Sequence, residues 1–567
     1  MSGTWPPPVL APDRTVPRPV YCITGDVHND RSIAEAVRDG RFTHIGITLC
    51  LGTEPDWRSA DLPPDDEWRI EWRKFYYGLD LANAFVETGD ADFVHAWERL
   101  VGSWIRQVPV DSDTTDVAAR RVQNWTYAWS MFASSPHFTG LAGGLDVALL
   151  DSIGQHVRHI RRGLTPEVFR NHRVLEVYAL FVVALAFPVL DEAPELLAFC
   201  VSELRRALAE GFRPDGVHRE NSTHYHLVAL RSFLGARENA RRFSLELPDD
   251  FDTLLERACE FALHSHRPDG VICALSDADN GSYPEVLRLA GSLLGRSDFR
   301  YAATGGAAGS PPAVRMASFP DAGYFFQRSG WGHDGRSYSD ERFLVFDCGP
   351  LGDGGHGHYD LLNVEIYAYG RPLLVDPGRY TYAEDGENLR RWFKGTAAHN
   401  TVCVDDMDQT PYRRGRPVGR VATGVFLGRR SVTGLDVLAG RAESPCYDAI
   451  HTRQVSFVDD EYWVVEDELN ATNEHRYDLR WHLPAEDWGA TELTTIDGKP
   501  AVRTPGVLLV FLSPVSLTLE PGWVSPRYGV RLRAPVISAA TTATDVRLTT
   551  LIVPLRPSPA RPRKEAP

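Results

Sequence analysis

Long apolar runs are scarce in this 567-residue chain. The longest, YALFVVALAFPVL from Tyr178 to Leu190, is too short to cross a bilayer and carries Pro188. Cysteines are few and unpaired in pattern: eight are scattered without a CxxC, which suits a reducing compartment better than a disulfide framework. Positive charge is in deficit, with a net charge of −16. That balance argues against non-specific binding to nucleic acid or to anionic membranes. A Gly-rich phosphate loop, a GxSxG elbow and an HExxH motif are absent. The first twenty residues show no charged segment followed by an apolar core. A cytoplasmic protein is the expectation.

What the chain does contain changes texture near its middle. Residues 1–60 form an N-terminal extension in which YCITGD and THIGITLCLG read as short strands. Residues 61–300 are patterned for helices, with apolar positions three and four apart in DEWRIEWRKFYYGLDLANAFVET, DADFVHAWERLVGSWIRQV and RNHRVLEVYALFVVALAF. Residues 301–315, YAATGGAAGSPPAVR, read as a linker. From 316 to 557 short alternating runs take over, among them RFLVFDCG, LLNVEIYAYGRPLLVD and RQVSFVDDEYWVVEDEL. These predict a large antiparallel sandwich. Residues 558–567 are an expected frayed tail. The fold class is therefore α+β and multidomain, helices first and strands second.

Three places carry candidate chemistry. In GGHGHYDLLNVEIYAYGRPLLVDPGRY, an extended chain would project His356 and His358 to one side. A hairpin turning near Gly370 would bring Asp376 back towards them, and GTAAHNTVCVDD adds His399 at the mouth of another strand. Two imidazoles and a carboxylate with one open position suit tetrahedral zinc, as well as ordinary loop hydrogen bonds. In DGVHRENSTHYH, Asn221 or Ser222 is a natural N-cap one turn ahead of Tyr225. In RNHRVLE, Asn171 and His172 open a helix at the positive end of its dipole, a favourable place for an anion. Basic clusters at LRRWFK, containing Arg390, and at YRRGRPVGR, containing Arg413, are further candidate contacts for an anionic ligand.

The run from His356 to Val402, HxHxD followed by LLVDPG, Y and AAHNTV, resembles the central signature of the heparinase II/III-like family of polysaccharide lyases. PDWRS, RRVQNWTYA, RNHRVLE, DGVHRENSTHYH and DLRWHLP extend the resemblance over most of the chain in the family's order. The resemblance implies an N-terminal incomplete (α/α) toroid followed by a C-terminal antiparallel β-sandwich. It also implies β-elimination on a uronic-acid glycan, of glycosaminoglycan or alginate type, leaving a 4,5-unsaturated uronate. By the same resemblance Asn171 with His172 neutralises the uronate carboxylate, and Tyr225 protonates the leaving oxygen. His356 is then the second base or the activator of Tyr225. His358, Asp376 and His399 are implied ligands of a structural zinc, with Asp360 as the alternative carboxylate. His226, Glu220, Arg390 and Arg413 are the expected substrate contacts. No organic cofactor, nucleic acid or membrane is called for, and a homodimer is compatible. Exo-action on oligosaccharides is the preferred version. A glycoside hydrolase and a silent glycan-binding protein are the alternatives.

Overall fold

The computed structural model describes residues 16–24, 29–59, 61–63, 66–164, 170–333, 335–384, 386–412 and 419–556. Arg413 and the tail 558–567 lie outside them. The chain folds as two compact units: Met1–Phe212 with Val228–Glu256, and Arg213–Leu227 with Arg257–Pro567.

The first unit is built from helices α1 (Arg31–Arg38), α2 (Asp66–Arg73), α3 (Tyr77–Thr88), α4 (Ala91–Gln107), α5 (Thr115–Ser134), α6 (Leu145–Gly163), α7 (Asn171–Ala186) and α8 (Ala193–Glu210), with most of α9 (Thr223–Arg242). Alternate helices are neighbours: α5 packs on both α3 and α7, and α4 packs on α6. Consecutive antiparallel helices that pair with the next but one build two layers. The inner layer must then be apolar all round. In α7 every side chain except His172 is buried, each Val, Leu or Phe contributing roughly 1.5–3 kcal/mol relative to exposure. The stretch that reads as one helix from Asp66 is two, because Phe75 takes a left-handed φ of 61° between α2 and α3. THIGITLCLG forms the hairpin β1 (Arg41–His44) and β2 (Ile47–Cys50). Tyr21–Thr24, expected as a strand, is not one. The side-chain amide of Asn239 satisfies the backbone of Tyr21 on both sides, accepting from its N–H at 2.8 Å and donating to its C=O at 3.0 Å, in place of a partner strand.

Among the described residues the second unit holds three antiparallel sheets. Five strands, β3 (Ser318–Phe319), β4 (Tyr324–Arg328), β5 (Phe343–Asp347), β6 (Val364–Ala368) and β7 (Arg371–Leu374), pair in chain order. The hairpin at Gly370 is present, with φ +82° at the glycine. The next strands are β8 (Val402–Val404), β9 (Thr423–Val432), β10 (Leu435–Glu443), β11 (Ile450–Val458), β12 (Tyr462–Asn470) and β13 (His475–His482). They are followed by β14 (Glu492–Ile496), β15 (Lys499–Arg503), β16 (Val507–Phe511), β17 (Ser516–Arg527), β18 (Val530–Ala543) and β19 (Val546–Pro554). An eight-stranded sheet runs β14-β15-β16-β19-β12-β11-β10-β9, and a four-stranded sheet runs β17-β18-β13-β8.

One core joins Leu344, Phe346 and Ile366 of the five-stranded sheet to Leu479 and Trp481 of the four-stranded sheet and to Phe457, Trp463 and Leu509 of the eight-stranded one. The alternate side chains of β5, Phe343 and Val345, pack instead with Phe261 of α10 (Phe251–Ser265). That explains why RFLVFD reads as a continuous apolar run: both faces of the strand are covered.

Candidate functional site

Ser222 caps α9. Its Oγ accepts from Tyr225 N–H at 3.4 Å, its carbonyl accepts from His226 N–H at 3.0 Å, and its hydroxyl donates to the carbonyl of Asp277 at 2.8 Å. Asn221 sits just before it at φ +48° and splints two loops, donating to the carbonyls of Ala322 and Pro350 at 2.9 and 3.0 Å. The first turn of α9 is thereby held fast, with Tyr225 on it. Burial pushes the Tyr225 phenol up, although Arg379 pulls the other way. A phenol kept neutral is a proton donor.

The HGH segment is a loop, not a strand. Glycine is required there: a Cβ on Gly352 (φ +72°) would fall 2.5 Å from the carbonyl of Glu220, and one on Gly357 would fall 2.0 Å from that of Leu351. Folded this tightly, the loop lays His356 flat on Tyr225, ring centroids 3.8 Å apart and 25° between planes. His356 Nδ1 contacts Asp277 Oδ2 at 2.9 Å, and His358 Nε2 contacts Asp277 Oδ1 at 3.0 Å. Burial works against the Asp277 charge, but Arg390 and the two imidazoles hold its carboxyl well below the usual range. A carboxylate only accepts, so both contacting ring nitrogens are N–H donors. His356 is left with Nε2 as its lone pair, 3.9 Å from Glu220 Oε2.

His358, His399 and Asp360 make a metal-binding face. His358 has its lone pair on Nδ1. His399 donates Nδ1–H to the carbonyl of Gly395 at 2.8 Å and so carries its lone pair on Nε2. Those two lone pairs face each other across 3.1 Å, an arrangement that asks for a cation or a proton between them. Asp360 is buried, its Oδ2 has no hydrogen-bond partner, and its carboxyl joins both imidazoles with ligand atoms all within 4.8 Å. The residues fit a metal ion with mixed nitrogen and oxygen ligands. The carboxylate in this converging set is Asp360. Asp376 lies beside it, Oδ2 3.7 Å from His399 Nε2, and its oxygens accept from Asn363 Nδ2 at 2.9 Å and Gly378 N–H at 3.0 Å.

Other expected contacts take varied places. Both Nη groups of Arg390 pair with Asp277. Glu220 is buried behind the glycine loop. His226 is buried, with Nδ1 accepting from His218 N–H at 3.2 Å and Nε2 donating to the carbonyl of Ala258 at 2.9 Å. Asn171, buried, and His172, exposed, open α7 in the first unit.

Four residues escaped the sequence reading: Asp277, Asp279, Arg379 and Tyr382. Arg379 is ion-paired to Asp279 at 2.8 and 2.6 Å and reaches the hydroxyls of Tyr225 and Tyr382 at 3.3 and 3.2 Å. Those hydroxyls are 2.6 Å apart. The signal available was DPGRYTY, an arginine and two tyrosines directly after the aspartate turn.

Fold and site together define a polysaccharide lyase of the toroid-and-sandwich class. Residues 27–292 match the family model "Heparinase II/III N-terminus", and residues 311–558 match "Heparinase II/III-like, C-terminal". The chain belongs to the heparinase II/III-like family. It is 25% identical over 576 residues to a heparin-sulfate lyase of Bacteroides stercoris, covering 94% of this chain and 82% of that one. With a heparin-sulfate lyase of Pedobacter heparinus it shares 23% over 504 residues, covering 85% and 73%. A crystal structure of heparinase III superposes with a TM-score of 0.80 at 19% identity, covering 96% of this chain and 88% of that one.

Proposed function

We propose that this lyase cleaves a glycosaminoglycan of the heparan-sulfate kind by β-elimination at a uronic acid. The observation that carries the proposal is the stacked Tyr225–His356 pair, a neutral phenol against an imidazole with one lone pair available. His356 Nε2 takes the C5 proton. The C–H electrons form the C4=C5 double bond, the C4–O bond breaks, and the departing oxygen takes the proton of Tyr225. Charge that accumulates on the uronate carboxylate needs neutral or positive donors, and Asn171 with His172 is the assignment carried by the family motif. The curated relatives are heparin-sulfate lyases, which supports the substrate class.

A metal held by His358, His399, Asp360 and the adjacent Asp376 would order the loops around His356. Zinc suits two imidazoles with carboxylate. The chain's own residues carry every proton in the reaction. Exo-action on short oligosaccharides in a reducing compartment completes the reading, supported by the net charge of −16 and by eight cysteines without a CxxC pair. Among the described residues no helix is long and apolar enough to cross a membrane.

The test is ultraviolet absorbance of the products with heparan-sulfate oligosaccharides, wild type against Tyr225→Phe. A 4,5-unsaturated uronate chromophore made by the wild type and lost in the variant supports elimination. Cleavage without the chromophore overturns it.

A further inference from the structure

Tyr225 must become a phenolate once it has protonated the leaving oxygen, and a buried phenolate is costly unless donors already face it. Two do. Tyr382 Oη lies 2.6 Å from Tyr225 Oη, and Arg379 Nη1 lies 3.3 Å from it and 3.2 Å from Tyr382 Oη.

Neither donor is loosely placed. Asp279 grips Arg379 through Nε and Nη2, and Asp279 Oδ1 also accepts the N–H of Tyr528 at 3.1 Å. The Tyr528 hydroxyl accepts the N–H of Tyr382 at 3.3 Å, closing the ring. The Arg390 guanidinium covers the Tyr382 ring at 4.9 Å. Such an array is preorganised for charge on one atom, the phenolic oxygen of Tyr225.

We propose that Tyr382 and Arg379 form a phenolate hole for Tyr225, with Asp279 as the residue that positions Arg379. The idea rests on the lyase reading above and deepens it. In the acid step the Tyr225 O–H bond breaks and a new O–H bond forms on the departing C4 oxygen. The electron pair left on Tyr225 Oη accepts hydrogen bonds from Tyr382 O–H and Arg379 N–H. Tyr382 keeps its proton throughout. Tyr225 recovers one from water after product leaves, and the C5 proton on His356 is lost to water, so the cycle balances. The site's specificity for poor leaving groups follows: a sugar hydroxyl needs the proton, whereas a halide does not.

The experiment compares two substrates, a heparan-sulfate disaccharide or tetrasaccharide and a synthetic uronoside with fluoride at C4, on wild type, Tyr382→Phe and Asp279→Asn. For Tyr382→Phe the expected loss in kcat on the natural glycoside is roughly 10²–10³-fold, the scale of one preorganised donor, with KM within about threefold. Elimination of fluoride should stay within about threefold of wild type, because no acid step is needed. Asp279→Asn should show the same selectivity with a smaller loss, and it serves if Tyr382→Phe fails to fold. Equal losses on both substrates, or an unchanged rate on the glycoside, overturn the phenolate hole and leave the lyase reading standing. A wild type that releases unsaturated uronate from neither substrate overturns the lyase reading and this inference with it.

Discussion

His358 points Nδ1 at Nε2 of His399 across 3.1 Å, and neither nitrogen carries the hydrogen of its own ring. Both remaining ring nitrogens are tied to acceptors, so the facing pair is built to bind a cation. One metal ion per chain is expected by mass spectrometric metal analysis, with His399→Ala eliminating it. Asp277→Asn should weaken metal affinity by about 10–100-fold, since the amide no longer fixes the His358 tautomer.

Tyr225→Phe keeps the ring that stacks on His356 and removes the proton donor. The expected fall in kcat is about 10²–10⁴-fold with little change in melting temperature. Steady-state kinetics beside a thermal melt separates the two effects. A matching collapse of stability would mean the hydroxyl is there for packing.

Asp80 in α3 is buried, and desolvation pushes its carboxyl up to about 7, despite the Asp30 N–H that it accepts at 3.0 Å. The folded state therefore holds a proton that the unfolded chain releases near pH 4. Stability falls as pH rises from about 4 to 7 and the penalty is complete above 7. Asp80→Asn keeps the acceptor without the charge. It should stabilise the protein at pH 8 by roughly 1–4 kcal/mol and have almost no effect at pH 4, as read from denaturant unfolding at the two pH values.

Arg453 and Asp467 are fully buried and paired at 2.6 Å inside the sandwich, and Arg453 also donates to the carbonyl of Leu362 at 2.7 Å and to that of Asn400, next to His399, at 2.5 Å. Arg453→Leu leaves the buried Asp467 carboxylate with His451, 2.7 Å away, in place of a guanidinium, and should cost about 3–5 kcal/mol. Loss of metal at lower temperature than in wild type should accompany it. Unfolding curves with and without a chelator would check both.

Much of this protein is legible along the chain. Helical spacing and strand alternation are local properties, so α7 and the β11–β12 hairpin are readable from RNHRVLEVYALFVVALAF and RQVSFVDDEYWVVEDEL alone. Tyr225, His356, His358 and His399 were also within reach, because each sits in a motif with punctuation around it: the Ser222 cap, the glycines before HGH, the turn before HNTV.

Tertiary structure alone decided what those residues do to one another. Asp277 stands 79 residues from His356 and in no motif, yet its two oxygens set which nitrogen each histidine presents. The meeting of Tyr225 with Tyr382, 157 residues apart, has no periodicity to announce it. The choice between Asp360 and Asp376 depended on side-chain direction within a few ångströms, which spacing along a strand does not encode. Sequence patterns are written by the solvent, one residue at a time, and so they report burial and turns. A proton's position is written by the partner across the fold.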